Sequence, residues 1–275
     1  LGVDSKTITV SGIPIDPIFA YPKEKSAMRK KYGLDPERTT IIVSAGGFGV
    51  GPMEQLLAAL AQMKHDCQVI AMCGKNEQLK TRLQSVASSS SEADRRHLLL
   101  HPVAFTKDMD EYMAASDLVL GKPGGLTTAE ALSKGLVYVI VNPIPGQEER
   151  NSDHLLEEGA AIRCNNLPTL AYKLDGLLDD PQRLRSMQAN ALRLSHPMAA
   201  QEVAAKLLQL QAARHLGTIT GTGHACYSHP LGKTLEFARR SMEKPRLTFM
   251  RTIAKQRRLN LRAVVPGLRS KSEGQ

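Results

Sequence analysis

The chain has 275 residues, 42% of them apolar, 4% aromatic and none of them Trp, so its core must be built from Leu, Val, Ile, Ala and Met. Its apolar runs, such as Leu136–Val141, are far too short to span a bilayer, and its four scattered Cys (Cys67, Cys73, Cys164, Cys226) form no CxxC pair and read as free thiols in a reducing compartment rather than as a disulfide frame. The net charge of +9 belongs to the tail, because residues from Gln211 onward carry 13 Lys and Arg against 3 Asp and Glu, whereas the first 210 carry 23 against 24.

Lys6–Val10 reads as a short strand leading into Ser11-Gly12-Ile13-Pro14-Ile15-Asp16-Pro17, an extended connector by its two prolines and its glycine. The spacing of Ala27, Met28 and Tyr32 predicts a helix over Pro22–Tyr32 that stops at Gly33. Thr40–Ala45 is β-branched and reads as a strand buried on both faces. After it come Gly46-Gly47-Phe48-Gly49-Val50-Gly51 and a helix over Pro52–Met63, with Pro52 as its first residue. Strands are predicted over Gln68–Cys73, His97–His101, Asp117–Leu120, Val137–Val141 and Ala160–Arg163. Helices are predicted over Glu77–Ala87, Asp108–Ala115 with Thr106 as cap, Gln147–Glu158, Leu167–Leu178 and Pro181–Leu194, and Pro197–His215 closes the ordered part. Ser88–Ser91 reads as a flexible loop.

Strands alternating with helices in this way predict an α/β fold, a Rossmann-like parallel sheet with helices on both faces. In such a sheet the loops after the strands gather on one rim and build the ligand site. Those loops are Gly46–Gly51, Gly74-Lys75-Asn76, Pro102–Thr106, Gly121–Gly125 and Asn142–Gln147. The richest stretch is Gly121-Lys122-Pro123-Gly124-Gly125-Leu126-Thr127-Thr128-Ala129-Glu130. Its glycines let backbone amides approach an anion, the helix that opens near Leu126 adds a positive end, and Glu130, one turn on, stands where a carboxylate takes two ribose hydroxyls. An ordinary strand–turn–helix with a Gly-rich connection is the plain alternative. Gly46–Gly51 lacks the glycine spacing of the dinucleotide fingerprint, which disfavours a redox cofactor.

Gly46–Gly51, Gly121–Leu132 and Pro145-Gly146-Gln147-Glu148-Glu149-Arg150-Asn151 occur in this order after the Ser11–Pro17 lead-in. Together they resemble the carboxyl-terminal domain of family 28 glycosyltransferases, nearest in look to diacylglycerol glucosyltransferases and monogalactosyldiacylglycerol synthases. The peptidoglycan N-acetylglucosaminyltransferase is a more distant match. The resemblance runs from about Ile8 to about Leu210. It implies half of a GT-B fold, divided as connector and first strand (1–22), nucleotide-sugar domain (23–215) and basic tail (216–275). The expected activity is inverting transfer of a hexose from a UDP-hexose donor to a lipid acceptor such as diacylglycerol, without a further cofactor. The general base and the acceptor loops are expected on an amino-terminal domain absent from this chain.

By resemblance, Phe105 would border the uracil and Glu130 would bind the ribose. The amides around Gly124, Gly125, Leu126 and Thr127 would hold the diphosphate, with Gly46, Gly47 and Gly49 on its other side. Gln147, Glu148 and Asn151 would face the hexose. The bland alternatives are a core Phe105, a surface Glu130 and a merely solvated Lys122. A non-catalytic nucleotide-sugar subunit, or a UDP-N-acetylglucosamine-dependent transferase, working with a separate membrane partner is the second functional reading. The implied location is cytoplasmic and peripheral to a membrane, the plastid envelope for a plant-type protein.

The tail reads as partly disordered. Its interleaved basic and apolar residues also fit contact with anionic lipid, and no nucleic-acid partner is expected. His224, Cys226 and His229 match no zinc pattern, and Gly232-Lys233-Thr234 fails as a P-loop because Tyr227 stands where a glycine is required.

Overall fold

The structure is a computed structural model and describes residues 2–44 and 53–219, apart from the side chains of residues 95–96 and 212–219. The described α-helices are α1 Lys25–Lys31, α2 Met53–Leu60, α3 Glu77–Ser89, α4 Glu92–His97, α5 Met109–Ala115, α6 Gly125–Ser133, α7 Gln147–Glu157, α8 Leu170–Leu178, α9 Pro181–Leu194 and α10 Ala199–Ile219. The strands are β1 Thr39–Ser44, β2 Cys67–Gly74, β3 Leu98–Ala104, β4 Leu118–Gly121, β5 Val137–Ile140 and β6 Ala161–Arg163. Leu1–Leu208 form one compact unit, and the chain from Gln209 on is a second, described only to Ile219.

All five strand pairings are parallel, in the order β3-β2-β1-β4-β5-β6. The order reverses between β1 and β4, which makes the rim above that pair the place where a doubly wound sheet opens a crevice. Side-chain alternation divides the core in two. Ile41, Val43, Val69, Ala71, Leu118, Leu120, Val137 and Val139 pack on one face against α2, α3, α8 and Met187 of α9. Ile42, Ile70, Met72, Val119, Tyr138 and Ile140 pack on the other, against residues of α5, α6 and α7. Ile15 and Phe19 of the connector join that second face, so the lead-in is seated on the domain.

At the switch point the backbone itself is tight. Ser44 pairs with Gly121, and a Cβ on Gly121 would lie 2.9 Å from the Ser44 carbonyl oxygen. Gly121→Ala is therefore expected to cost about 1–3 kcal/mol through forced separation of β1 and β4. In urea this reads as a lower midpoint with an unchanged slope.

Ion pairs anchor α1 beneath the sheet. Asp117, just before β4, accepts from Lys25 Nζ at 2.5 Å, Arg29 Nη2 at 2.7 Å and the Thr40 amide at 2.8 Å. Glu111 of α5 is held by Lys31, by Tyr32 Oη at 2.6 Å and by Lys23 at 2.9 Å, which together pull its carboxyl down to about 2.

Two expectations fail. Lys6–Val10 is not a strand. Ser5–Thr7 forms a 3-10 turn, with Asp4 accepting from the Lys6 amide at 3.0 Å, and Ile8 and Val10 lie exposed with no pairing strand among the described residues. Alternating apolar residues make a strand only where a neighbour covers them. Ser88–Ser91 is not a plain loop either. α3 runs through Ser89, and Ser91 opens α4 with a capping box in which its hydroxyl accepts from the Asp94 amide at 3.1 Å and Asp94 Oδ2 accepts from the Ser91 amide at 3.1 Å. Smaller shifts are those of ends: β3 continues to Ala104, with Pro102 tolerated because β3 is an edge strand.

Candidate functional site

The turn after β4 is built as a donor surface. Lys122 O accepts from the Gly124 amide at 2.8 Å and from Tyr138 Oη at 2.6 Å, and Pro123 O accepts from Asn151 Nδ2 at 2.8 Å. Gly124 is the N-cap of α6, and its carbonyl accepts the first helical bond, from the Thr128 amide at 2.9 Å. The amides of Gly125, Leu126 and Thr127 therefore have no acceptor inside the helix and face its amino end. A Cβ on Gly124 would meet nothing within 4 Å, so this side of the turn is open. The Gly124 amide, expected among the phosphate donors, is instead committed to Lys122 O. Leu126 is exposed, and the Lys122 side chain is exposed too.

Gln147 comes to the same place from the next loop. Its Nε2 would lie 3.7 Å from a Cβ on Gly125. The loop before it is shaped by Gly146 at φ +102° and by Asn142 at φ +43°, the only described non-glycine residue with positive φ. Glu148 Oε2 accepts from the Ile144 amide at 2.7 Å, and Glu149 Oε2 accepts from the Gly146 amide at 3.3 Å. Of the three residues expected to face a hexose, Gln147 is thus beside the phosphate turn. Glu148 braces its own loop, and Asn151 braces the turn. Behind the turn a cavity of about 170 Å³ is lined by Ile13, Gly125, Thr128, Asn151, His154 and His196.

Glu130 sits one turn along α6, half-buried, and no side chain pairs with it among the described residues. Burial, and then the nearby Asp16 carboxylate, push its acid up to about 7. It is neither core nor ordinary surface. The connector runs beside α6, with Ile13 near Gly125 and Lys134 Nζ donating to Tyr21 O at 2.8 Å. Asp16 is held there by accepting from the Ile18 amide at 2.9 Å.

Phe105 follows β3 and is 58% exposed, which removes the core reading of it; Lys75 Nζ stands 5.9 Å from its ring centroid. Both lie after strands on the same rim as the turn. Gly46, Gly47 and Gly49 lie outside the described residues, as do the tail's charge pattern, His224, Cys226, His229 and Gly232-Lys233-Thr234. Among the described residues no helix is long and apolar enough to cross a membrane. Cys67, Cys73 and Cys164 are free, buried thiols.

The amino end of α6 thus opens at the switch point of the 3-2-1-4-5-6 sheet, with Glu130 one turn on. Residues 51–204 match the glycosyltransferase family 28 C-terminal domain. The chain belongs to that family, as its carboxyl-terminal domain.

The family 28 chain is 31% identical over 198 residues to the processive diacylglycerol β-glucosyltransferase of Bacillus pumilus, an overlap of 71% of this chain and 50% of the relative. It is 32% identical over 211 residues to the enzyme of that name from Staphylococcus saprophyticus, an overlap of 76% and 52%. It spans about half the length of these curated relatives. In fold it matches the crystal structure of Acinetobacter baumannii MurG (TM-score 0.56, 24% identity, 70% of this chain and 55% of that one). It also matches Anabaena HepE crystallised with UDP and glucose (TM-score 0.54, 19% identity, 75% and 58%). These likenesses place the domain as the carboxyl-terminal half of a GT-B fold.

The residues that the sequence left unread are Tyr138, Asn151 in its bracing role, and Asp16 beside Glu130. Tyr138 alone carried a signal: a phenol in an otherwise aliphatic strand, Val137–Ile140, needs a buried acceptor for its hydroxyl.

Proposed function

We propose that this domain binds a UDP-hexose and, with an acceptor-binding partner domain, transfers the hexose to a lipid acceptor of the diacylglycerol class with inversion. The observation that carries the reading is the unpaired, half-buried Glu130 one turn beyond the open amides of Gly125, Leu126 and Thr127. A carboxylate there takes the two ribose hydroxyls while the amides take the diphosphate. As the sugar leaves, charge grows on the β-phosphate, and donors already fixed in place stabilise it without reorganisation. The positive end of α6 adds to this. Gln147, beside Gly125, is the side chain best placed to reach the hexose. Phe105 offers an exposed ring for the uracil, with Lys75 at its other side. The names of the curated relatives support the lipid acceptor and the glucose-type donor.

Calorimetric titration of the 275-residue chain with UDP, ADP and NADH tests the reading. UDP is expected to bind in the micromolar range or tighter and the other two at least about tenfold more weakly, a difference of about 1.4 kcal/mol. Equal binding of all three would leave a generic phosphate turn and no uridine site.

A further inference from the structure

In the turn 122–124 every carbonyl is turned into the protein. A peptide's C=O and N–H point in opposite directions, so the Gly124 carbonyl sets where the Gly125 amide faces, whereas the Lys122 carbonyl is followed by Pro123, which has no N–H, and the Pro123 carbonyl by the Gly124 amide, which donates to Lys122 O at 2.8 Å. The Gly124 carbonyl is fixed by the helix itself, through the Thr128 amide. The other two each accept from a side chain of a different element, and Lys122 O also accepts from the Gly124 amide at 2.8 Å. Tyr138 of β5, fully buried, donates from Oη to Lys122 O at 2.6 Å, and Asn151 of α7 donates from Nδ2 to Pro123 O at 2.8 Å. These contacts join residues 16 and 28 positions apart in the chain.

We propose that Tyr138 and Asn151 are positioning residues of the diphosphate site, holding the Lys122 and Pro123 carbonyls away from the anion and bracing the turn that leads into the Gly125, Leu126 and Thr127 amides. The inference rests on the reading of the site given under the proposed function. It gives Asn151 a different task from contact with the hexose. A Phe at 138 fills the same core space, so the hydroxyl is what the turn requires. Without the Asn151 donor the Pro123 carbonyl is free to rotate toward the phosphates, where its negative end repels them; without the Tyr138 hydroxyl the Lys122 carbonyl keeps only the Gly124 amide, and the turn loses part of the pre-set geometry that makes anion binding cheap.

The test uses the full 275-residue chain and three ligands that differ by one part each: uridine, UDP and UDP-glucose. In Tyr138→Phe and in Asn151→Ala, affinity for UDP and for UDP-glucose is expected to fall roughly tenfold, with affinity for uridine kept within about twofold. Unchanged UDP affinity in both variants overturns the proposal. So does a loss of uridine binding that parallels the loss of UDP binding, since that marks a role in the fold as a whole. For Asn151, a loss confined to UDP-glucose returns the residue to the hexose and overturns its positioning role. A wild-type chain that binds none of the three removes the functional reading itself, an outcome distinct from a wild type that binds UDP and variants that bind it equally well.

Discussion

Glu130→Ala is expected to weaken UDP binding by about 100-fold, because two hydrogen bonds to a charged acceptor are lost at once. Binding by Glu130→Ala equal to wild type would take the residue out of the site. The same carboxylate should also be a burden on the empty fold. Its acid is raised to about 7 by burial and by Asp16, whereas an unfolded Glu titrates near its ordinary value of about 4.3. The native state thus holds the proton more tightly than the unfolded state. The group's contribution to stability is fully present below the unfolded value and is lost as pH rises through about 7.

Two outcomes follow for Glu130→Gln, which keeps the side chain's size and removes its charge. At pH 8 its melting temperature should exceed that of wild type, while its nucleotide affinity falls. Uridine, which carries no phosphate, reads the titration directly. If only the ionised carboxylate takes the hydroxyls, wild-type affinity should rise about tenfold from pH 6 to pH 8, following the fraction of competent protein. The Glu130→Gln profile should be flat over that interval. A wild-type profile as flat as the variant's would show that ribose does not meet this group. Loss of affinity together with gain of stability is the signature of a residue kept for binding.

Asp117→Ala is expected to be the most damaging single change to stability described here. It removes the partner of Arg29, whose side chain is 7% exposed, and the acceptor of the Thr40 amide at the start of β1. Arg29 keeps only the Ala115 and Pro36 carbonyls. Leaving a buried cation without its carboxylate costs about 3–5 kcal/mol. For a domain of this size that is a fall in melting temperature of about 10 °C. The double variant Arg29→Met/Asp117→Ala should lose less than Asp117→Ala alone, because the stranded charge is gone. Simple additivity in that cycle would show the pair to be uncoupled. Nucleotide binding at low temperature should persist, since Asp117 precedes β4 and the proposed site follows it.

The elements most legible in the sequence were those with strong local punctuation. α9 runs over Pro181–Leu194 as expected, because Asp180 accepts from the Arg183 amide at 2.9 Å and Pro181 occupies the first helical position. The central strands were legible because they are short apolar runs, Thr39–Ser44 and Val137–Ile140 rich in β-branched residues, and too short for helices. Their order was not, since it depends on which crossover passes beneath the sheet. The α4 capping box was present as Ser91-Glu92-Ala93-Asp94 but was masked by the serine run before it. The same division holds in the site. Gly121–Glu130 announced itself through glycine, proline and an acid at one-turn spacing. The brace from Tyr138 and Asn151 is a tertiary fact, and no local pattern encodes which carbonyl a side chain will find. Asp16 beside Glu130 is likewise visible only once the connector is laid along α6.

A crystal structure of the chain with UDP bound should show the β-phosphate within hydrogen-bonding distance of the Gly125, Leu126 or Thr127 amide, and both ribose hydroxyls on the Glu130 carboxylate. Nucleotide seated elsewhere, for instance in the groove beside β6 lined by Lys64, Arg163, Tyr172 and Arg183, or held with its ribose turned away from Glu130, would contradict the proposed site.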